Sequence, residues 1–317
     1  ENGNAELVAD AVVPPLPSFP HNSKTAKYGA LIGLLIGLLL VVWIGRRDRR
    51  IRDASSVEDA YGVPLLGTVS DKQAATLGEA RAGRSAYTTE AFARLGASLR
   101  YLNVDRDIHT VMVTSASARE GRSTVALQLA IAEAMAGSDR VLLLEADLRG
   151  PVLARALGEQ ARPGLSEVLS RSASLQDALR SVRIGGSQDG TSPGARISVL
   201  PAGAVPPNPL ELIESESMTW LMNTLKDSFD LIVIDSPPIS VVPDAIPLLA
   251  RVSGVVLVGR IGVTTRAAAA AMREQLAQAG AHTLGVVAMS VPDPKVYRFN
   301  LRRRSLRTPR SRGSLAR

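Results

Sequence analysis

The sequence predicts an α/β fold: a mostly parallel sheet with helices on both faces, preceded by one transmembrane helix. Three observations carry that expectation. Short continuous apolar runs alternate with helical patterns from residue 109 onward, residues 28–45 carry no charge, and a strand–turn–helix segment rich in small residues stands where the alternation begins. Strands that are apolar on both faces, separated by helices, belong to parallel sheets covered on both sides.

The composition bounds what such a fold can do. The chain has 317 residues, 45% apolar and 21% charged, which fits a globular protein and excludes a disordered or collagen-like one. With only 3% aromatics, the core must come from Ala, Val, Ile and Leu. The absence of cysteine excludes a disulfide scaffold, a thiolate metal site and a Cys nucleophile, and three scattered histidines, His21, His109 and His282, do not make a zinc site. The net charge of +7 sits in two short segments: residues 298–317 contribute +8, residues 46–52 contribute +4 and residues 1–45 contribute −1, leaving 53–297 at −4. The folded body is therefore mildly acidic, and nucleic acid is not an expected partner.

Taken in order, residues 1–27 are a Pro-studded extracytoplasmic lead-in, and because the chain opens on Glu1 rather than Met, a further N-terminal part is expected before it. Residues 28–45 would form about 27 Å of helix, long enough to span a bilayer. Arg46, Arg47, Arg49, Arg50 and Arg52 follow it, against Lys24 and Lys27 before it, which places the C-terminal part in the cytoplasm and the chain in the plasma (inner) membrane. A secretory signal peptide would carry its basic cluster on the other side. Gly29, Gly33 and Gly37 either clear a face for self-association or are simply the glycines common in membrane helices. Residues 46–85 read as a juxtamembrane segment and linker, 86–293 as the cytoplasmic domain, and 294–317 as a disordered basic tail. That tail either lies on anionic membrane lipid, at about 1 kcal/mol per basic residue near the surface, or is solvated without a partner.

Within the domain, strands are expected at 109–115, 140–144, 197–200, 231–234, 254–258 and 284–290. Helices are expected at 89–102, 123–136, 151–157, 164–169, 175–182, 209–226, 244–250 and 264–279, with a flexible insertion at 183–196. The first strand runs into A-S-A-R-E-G-R-S-T at 116–124, the layout of a phosphate loop, in which backbone N–H groups at a helix N-terminus cradle an anion. Taken alone, this could also be an Arg in the first turn of an ordinary helix. Two apolar strands strengthen the reading: V-L-L-L-E-A-D delivers Glu145 and Asp147, and L-I-V-I-D-S-P-P delivers Asp235, to the same sheet rim. A magnesium-bound triphosphate needs this set: amides and a cation for the phosphates, a hydroxyl such as Ser123, and carboxylates for the metal or its waters.

On these residues the sequence resembles the bacterial polysaccharide co-polymerase and tyrosine autokinase family, from the lead-in through Ser290. L-P-A-G-A-V-P-P-N-P-L-E-L-I at 200–213 matches the family's characteristic loop before a helix, with Asn208 as cap, Pro209 at the first helical position and Glu211 at the capping-box position. D-L-R-G-P at 147–151, S-P-P after Asp235, and R-I-R-D-A-S-S-V-E-D-A-Y-G-V-P-L-L-G at 50–67 also match. The resemblance implies a P-loop NTPase-like domain that binds ATP and Mg²⁺. Ala118, Arg119, Glu120, Gly121, Arg122, Ser123 and Thr124 would hold the phosphates, and Ser123, Asp147 and Asp235 the metal. Arg122, Glu145 and Asp147 would be the catalytic set, with Glu145 or Asp147 as base. Implied partners are membrane lipid and the polysaccharide polymerase and export machinery.

The departures are specific. Arg122 stands where the family loop, G-E-G-K-S-T, has lysine, which keeps charge but not geometry. Arg119 replaces a glycine; if that position needs a positive φ, the cost is of order 1 kcal/mol. Glu145 replaces the first Asp of an Asp-x-Asp pair. The arginines that make the family's subunit ring would fall at Ala93 and Gly96, with Arg94 displaced by one residue, about 100° around the helix. Met289 stands at a base-reading Asn, and after Tyr101 only Tyr297 remains of a tyrosine cluster. The expectation is a membrane-anchored regulator that binds nucleotide but autophosphorylates weakly. The alternatives are a nucleotide-independent scaffold and a membrane-tethered partitioning-type ATPase.

Overall fold

The computed structural model describes residues 23–47, 50–70, 86–103, 108–184 and 194–291. The lead-in at 1–22, residues 71–85 of the linker, most of the insertion expected at 183–196, Tyr297 and the basic tail lie outside them. Contacts divide the chain into Glu1–Arg49 and Arg50–Arg317. Among the described residues of the first unit there is one helix, α1 (Ser23–Arg47), which includes residues 28–45. Its apolar side chains Leu31, Leu34, Leu35 and Leu38 are more than half exposed, and a Cβ built on Gly29, Gly33 or Gly37 would meet nothing within 4 Å. Among the described residues no helix is long and apolar enough to cross a membrane; the side chains of 40–47 lie outside that set.

The second unit is an eight-stranded sheet with helices on both faces. In chain order its strands are β1 (Leu65–Val69), β2 (Thr110–Ser115), β3 (Val141–Glu145), β4 (Arg180–Ile184), β5 (Ala195–Leu200), β6 (Leu231–Asp235), β7 (Gly254–Arg260) and β8 (Thr283–Met289). Their spatial order is β1-β8-β7-β2-β6-β3-β5-β4, parallel throughout except for β4, which runs antiparallel to β5 at one edge. The central strands are the continuous apolar runs: β2 and β3 are buried along their whole length. Strand alternation divides each between two cores. Met112, Leu142, Leu144, Ile232 and Ile234 face one side, under Val57, Leu165, Leu221, Leu225 and Met272. Val111, Val113, Val141, Leu143 and Val233 face the other, under Phe92, Leu95, Leu127, Leu129, Leu153 and Leu157.

Several elements differ from the sequence expectation. Residues 50–70, set apart by sequence as a juxtamembrane segment, belong to the sheet unit: α2 (Ala54–Tyr61) buries Val57 and Tyr61, and β1 pairs with β8. The helix expected at 175–182 ends at Ala178, because Val182 and Ile184 are buried in alternation with exposed Arg183 and form β4, which takes the end of that expected helix and the first two residues of what was read as insertion. The helix expected at 209–226 is two, Pro209–Glu214 and Glu216–Ser228, broken at Ser215, whose extended backbone lets its hydroxyl accept from the Met218 amide at 3.2 Å. Pro209 holds the first helical position as expected, but Asn208 caps no amide; its side chain donates to Glu211 instead, at 3.0 Å.

The seat of α2 on the sheet depends on Gly259 in β7. A Cβ there would stand 2.9 Å from both Tyr61 Cε2 and Val57 Cγ1, two side chains with no exposed surface. Gly259→Ala is therefore expected to lower stability by about 1–3 kcal/mol through overpacking, read as a lower denaturant midpoint. An unchanged midpoint would show that α2 is loosely seated.

Candidate functional site

The register of the central strands brings the acidic positions together. Asp235 at the end of β6 lies across from Val113 in β2 and from Glu145 in β3. Alternation from the Val111, Val113, Leu143 and Val233 positions turns Ser115, Glu145 and Asp235 to one face, the face covered by α4 (Arg122–Met135). The first turn of that helix leaves its backbone N–H groups, from Arg122 to Thr124, without intrahelical partners and aimed at the same rim.

The loop between β2 and this helix is shaped by two residues with left-handed backbone. Arg119 has φ +63°, the conformation that the arginine-for-glycine departure raised as a question. Gly121 has φ +101°, and a Cβ on it would stand 3.1 Å from Met289 Cε, so Met289, at the position of the base-reading Asn, packs beneath the loop. Glu120, one of the residues implied for the phosphates, turns its side chain inward, with no exposed surface. It accepts from the Ser117 amide at 3.1 Å and from the Thr264 hydroxyl at 2.6 Å, and burial pushes its carboxyl up against the pull of those bonds. The Thr264 carbonyl in turn accepts from the Ile51 amide at 2.9 Å, and Arg260 donates to the Arg119 carbonyl at 3.3 Å. The phosphate loop is thus clasped from behind by the segment 260–264, which is itself hydrogen-bonded to Ile51 within the basic cluster.

Arg122 does not reach outward. Its guanidinium donates to the Ser236 carbonyl at 2.9 Å, the Ser115 hydroxyl at 2.8 Å and the Ser117 carbonyl at 3.0 Å, and meets Asp147 Oδ2 at 3.5 Å. These use four of its five N–H groups, and the side chain is 10% exposed. Glu145 is likewise committed. It accepts from the amides of Val152 (2.5 Å), Leu153 (2.7 Å) and Ala202 (3.1 Å), so it caps the short helix Leu153–Leu157 and ties β3 to the 200–213 loop. Burial raises its carboxyl despite those amides. Of the two acids named as base, only Asp147 stands at the site's opening. Its Oδ1 accepts from the Gly150 amide at 3.1 Å.

Asp235 is the exception in this network. It is 1% exposed, and neither of its carboxylate oxygens has a hydrogen-bond partner among the described residues. Burial pushes its carboxyl up to about 7; Glu145 and Asp147 add to the rise, while the Ser123 hydroxyl and the Arg122 guanidinium, near it but out of bonding geometry, oppose it. An orphaned buried carboxylate beside a hydroxyl is a fitting seat for a hard cation. No group of three or more His, Cys, Asp or Glu among the described residues could hold a metal by itself. Mg²⁺ takes one or two protein oxygens and completes its shell with waters and phosphates.

Sequence reasoning missed the clasp residues Thr264 and Arg260 and the pair Arg149–Asp244. In that pair the guanidinium meets both oxygens of a buried carboxylate, at 2.5 and 3.1 Å, and joins the loop after β3 to the loop after β6. Neither residue has a sequence signal beyond its place in D-L-R-G-P and after S-P-P. On α3 (Ala86–Asn103) the displaced Arg94 forms an exposed pair with Glu90, at 2.6 Å. Gly96 leaves room for the buried Glu133 carboxylate, which Arg100 meets at 2.8 Å.

Compared with known proteins, the chain is 34% identical over 199 residues to the tyrosine-protein kinase YwqD of Bacillus subtilis, covering 63% of this chain and 79% of that protein. It is 28% identical over 310 residues to the putative tyrosine-protein kinase EpsB of Ralstonia solanacearum, covering 94% of this chain but only 40% of that longer protein. Among solved structures, the kinase domain of the Escherichia coli tyrosine kinase ETK superposes with a TM-score of 0.66 at 26% identity, covering 75% of this chain and 94% of that one. No family model matches the chain.

The state of Asp235 sets a pH dependence. Its folded-state value, about 7, lies above the ordinary 3.8, so the folded form binds the extra proton. The resulting stabilisation is fully present below about pH 4 and is lost as pH rises through about 7, at up to about 1.4 kcal/mol per unit. Without nucleotide, the wild type is expected to melt on the order of 5 °C lower at pH 7.5 than at pH 5.5, with most of that slope gone in Asp235→Asn. Equal slopes in the two proteins would show that Asp235 ionises normally.

Proposed function

The chain belongs to the bacterial tyrosine-protein kinase family, and we propose that within it the chain is a membrane-anchored regulator of surface polysaccharide assembly that binds Mg·ATP but autophosphorylates weakly. The observation that carries the nucleotide reading is the unpartnered Asp235 carboxylate beside Ser123, at the mouth of a loop whose first helical turn offers free amides. Ser123 and Asp235 would hold Mg²⁺, with Asp147 beside them, and the amides of 118–124 would hold the phosphates. Bound there, Mg²⁺ would neutralise charge on the transferring phosphoryl group. Asp147 takes the proton of an incoming hydroxyl, since Glu145 is saturated by three amides. Weak transfer follows from Arg122, whose fork is spent on Ser115, Ser117, Ser236 and Asp147 where a lysine would be free to follow the phosphate.

Anchoring rests on the uncharged stretch 28–45 and the arginines after it, which favour one span of the plasma membrane with the kinase-like domain in the cytoplasm. Membrane lipid and the polysaccharide polymerase and export machinery are the partners that the family resemblance supports, and Gly29, Gly33 and Gly37 offer a face for self-association.

Two measurements test this. Mg·ATP titrated against micromolar protein is expected to show saturable binding that falls at least tenfold in Asp235→Ala; absence of binding in the wild type would favour a nucleotide-independent scaffold. Incubation with labelled ATP is expected to give little phosphotyrosine. Robust labelling that disappears in Tyr297→Phe would overturn the weak-kinase reading.

A further inference from the structure

We infer that the side chain of Arg119, and not that of Arg122, is the cation that meets the nucleotide's phosphates; this rests on the Mg·ATP reading of the site. A polyphosphate held by backbone amides still requires a mobile positive side chain to balance its terminal charge. Arg122 stands at the sequence position for that role, yet four of its N–H groups are bonded inside the site and its side chain is 10% exposed. Its bonds to the Ser236 carbonyl and to Asp147 join the ends of β6 and β3, so drawing it toward a phosphate would undo the cross-link between the two acidic strands.

Arg119 is the opposite in each respect. It is exposed, and among the described residues its side chain makes no hydrogen bond or ion pair. It sits three residues before Arg122 in the same loop, and its backbone is held at φ +63° while its carbonyl accepts from Arg260. Left-handed backbone at a residue other than glycine is strained, and such strain persists where surrounding structure imposes it, commonly at ligand-binding sites. The other arginine against the loop, Arg260, already donates to Ser290 at 2.8 Å and to the Arg119 carbonyl. The loop has therefore divided the work of one lysine between two arginines: Arg122 braces the strand ends, and Arg119 supplies the phosphate charge from a backbone conformation that glycine would adopt without strain.

The division is tested with Arg119→Gly, which removes the cation and relieves the strained backbone, so loss of folding does not confound it. With the full chain in detergent, affinities for ATP, ADP and adenosine are measured at two salt concentrations in wild type, Arg119→Gly, Arg119→Lys and Arg122→Lys, with melting temperature as a control. Arg119→Gly is expected to weaken ATP about tenfold and ADP less, to leave adenosine unchanged, and to flatten the salt dependence for ATP, while Arg119→Lys restores most of the loss. Arg122→Lys is expected to lower the melting temperature through the lost brace. ATP binding equal in wild type and Arg119→Gly would overturn the inference, as would a loss of the same size for adenosine. A wild type that binds none of the three would instead overturn the nucleotide reading beneath it.

Discussion

A carboxylate taken out of water without hydrogen bonds must take up a proton or meet a cation, because burial penalises its charged form by far more than a single neighbouring dipole returns. Asp235 is in that position, and the architecture around it follows. β6 lies between β2 and β3, so the residue that ends it is surrounded by the phosphate loop on one side and by Glu145 and Asp147 on the other. Each neighbour is satisfied elsewhere: Glu145 by three amides, Asp147 by Gly150 and Arg122, Arg122 by four oxygens. What is left is one buried carboxyl group without a hydrogen-bond partner among the described residues, facing the amide end of a helix.

The loop is held in place from its other side. Glu120 points away from the site and binds Ser117 within the loop and Thr264 outside it, so the loop is fixed from its core side. Thr264 belongs to a turn that Ile51 also pairs with, and Ile51 lies within the basic cluster, between Arg50 and Arg52. Residues 50–61 are therefore part of the scaffold that shapes the phosphate loop. They dock through Tyr61 and Val57 onto Gly259, and Tyr61 donates to the Val258 carbonyl, in the strand that runs into the 260–264 clasp.

The parts of the fold that were legible in sequence are those where one physical signal dominated. The apolar runs at 109–115, 140–144 and 231–234 are β2, β3 and β6 to within a residue at either end, because strands buried on both faces leave no competing pattern. β1 and β4 were hidden: they are edge strands of five residues, with intermediate or exposed positions that blur the apolar run. The convergence of Asp235 and the loop on one rim followed from parallel topology alone. Side-chain direction was not legible. Glu120 and Glu145 stand in the expected places and turn to backbone amides and Thr264, which no spacing rule reveals, and Arg122 looks like a phosphate ligand until its four partners are seen. Conversely, the doubt over a positive φ at Arg119 was raised by sequence and answered by φ +63°.

The most direct test of the account is where a divalent cation sits. Crystals grown with Mn²⁺ and a non-hydrolysable ATP analogue would give an anomalous signal for the metal alone. The account requires that signal against Ser123 and the Asp235 carboxylate, with the phosphates on the amides of the loop. A metal bound elsewhere, or a nucleotide-free site in which Asp235 has found a protein partner, would contradict it.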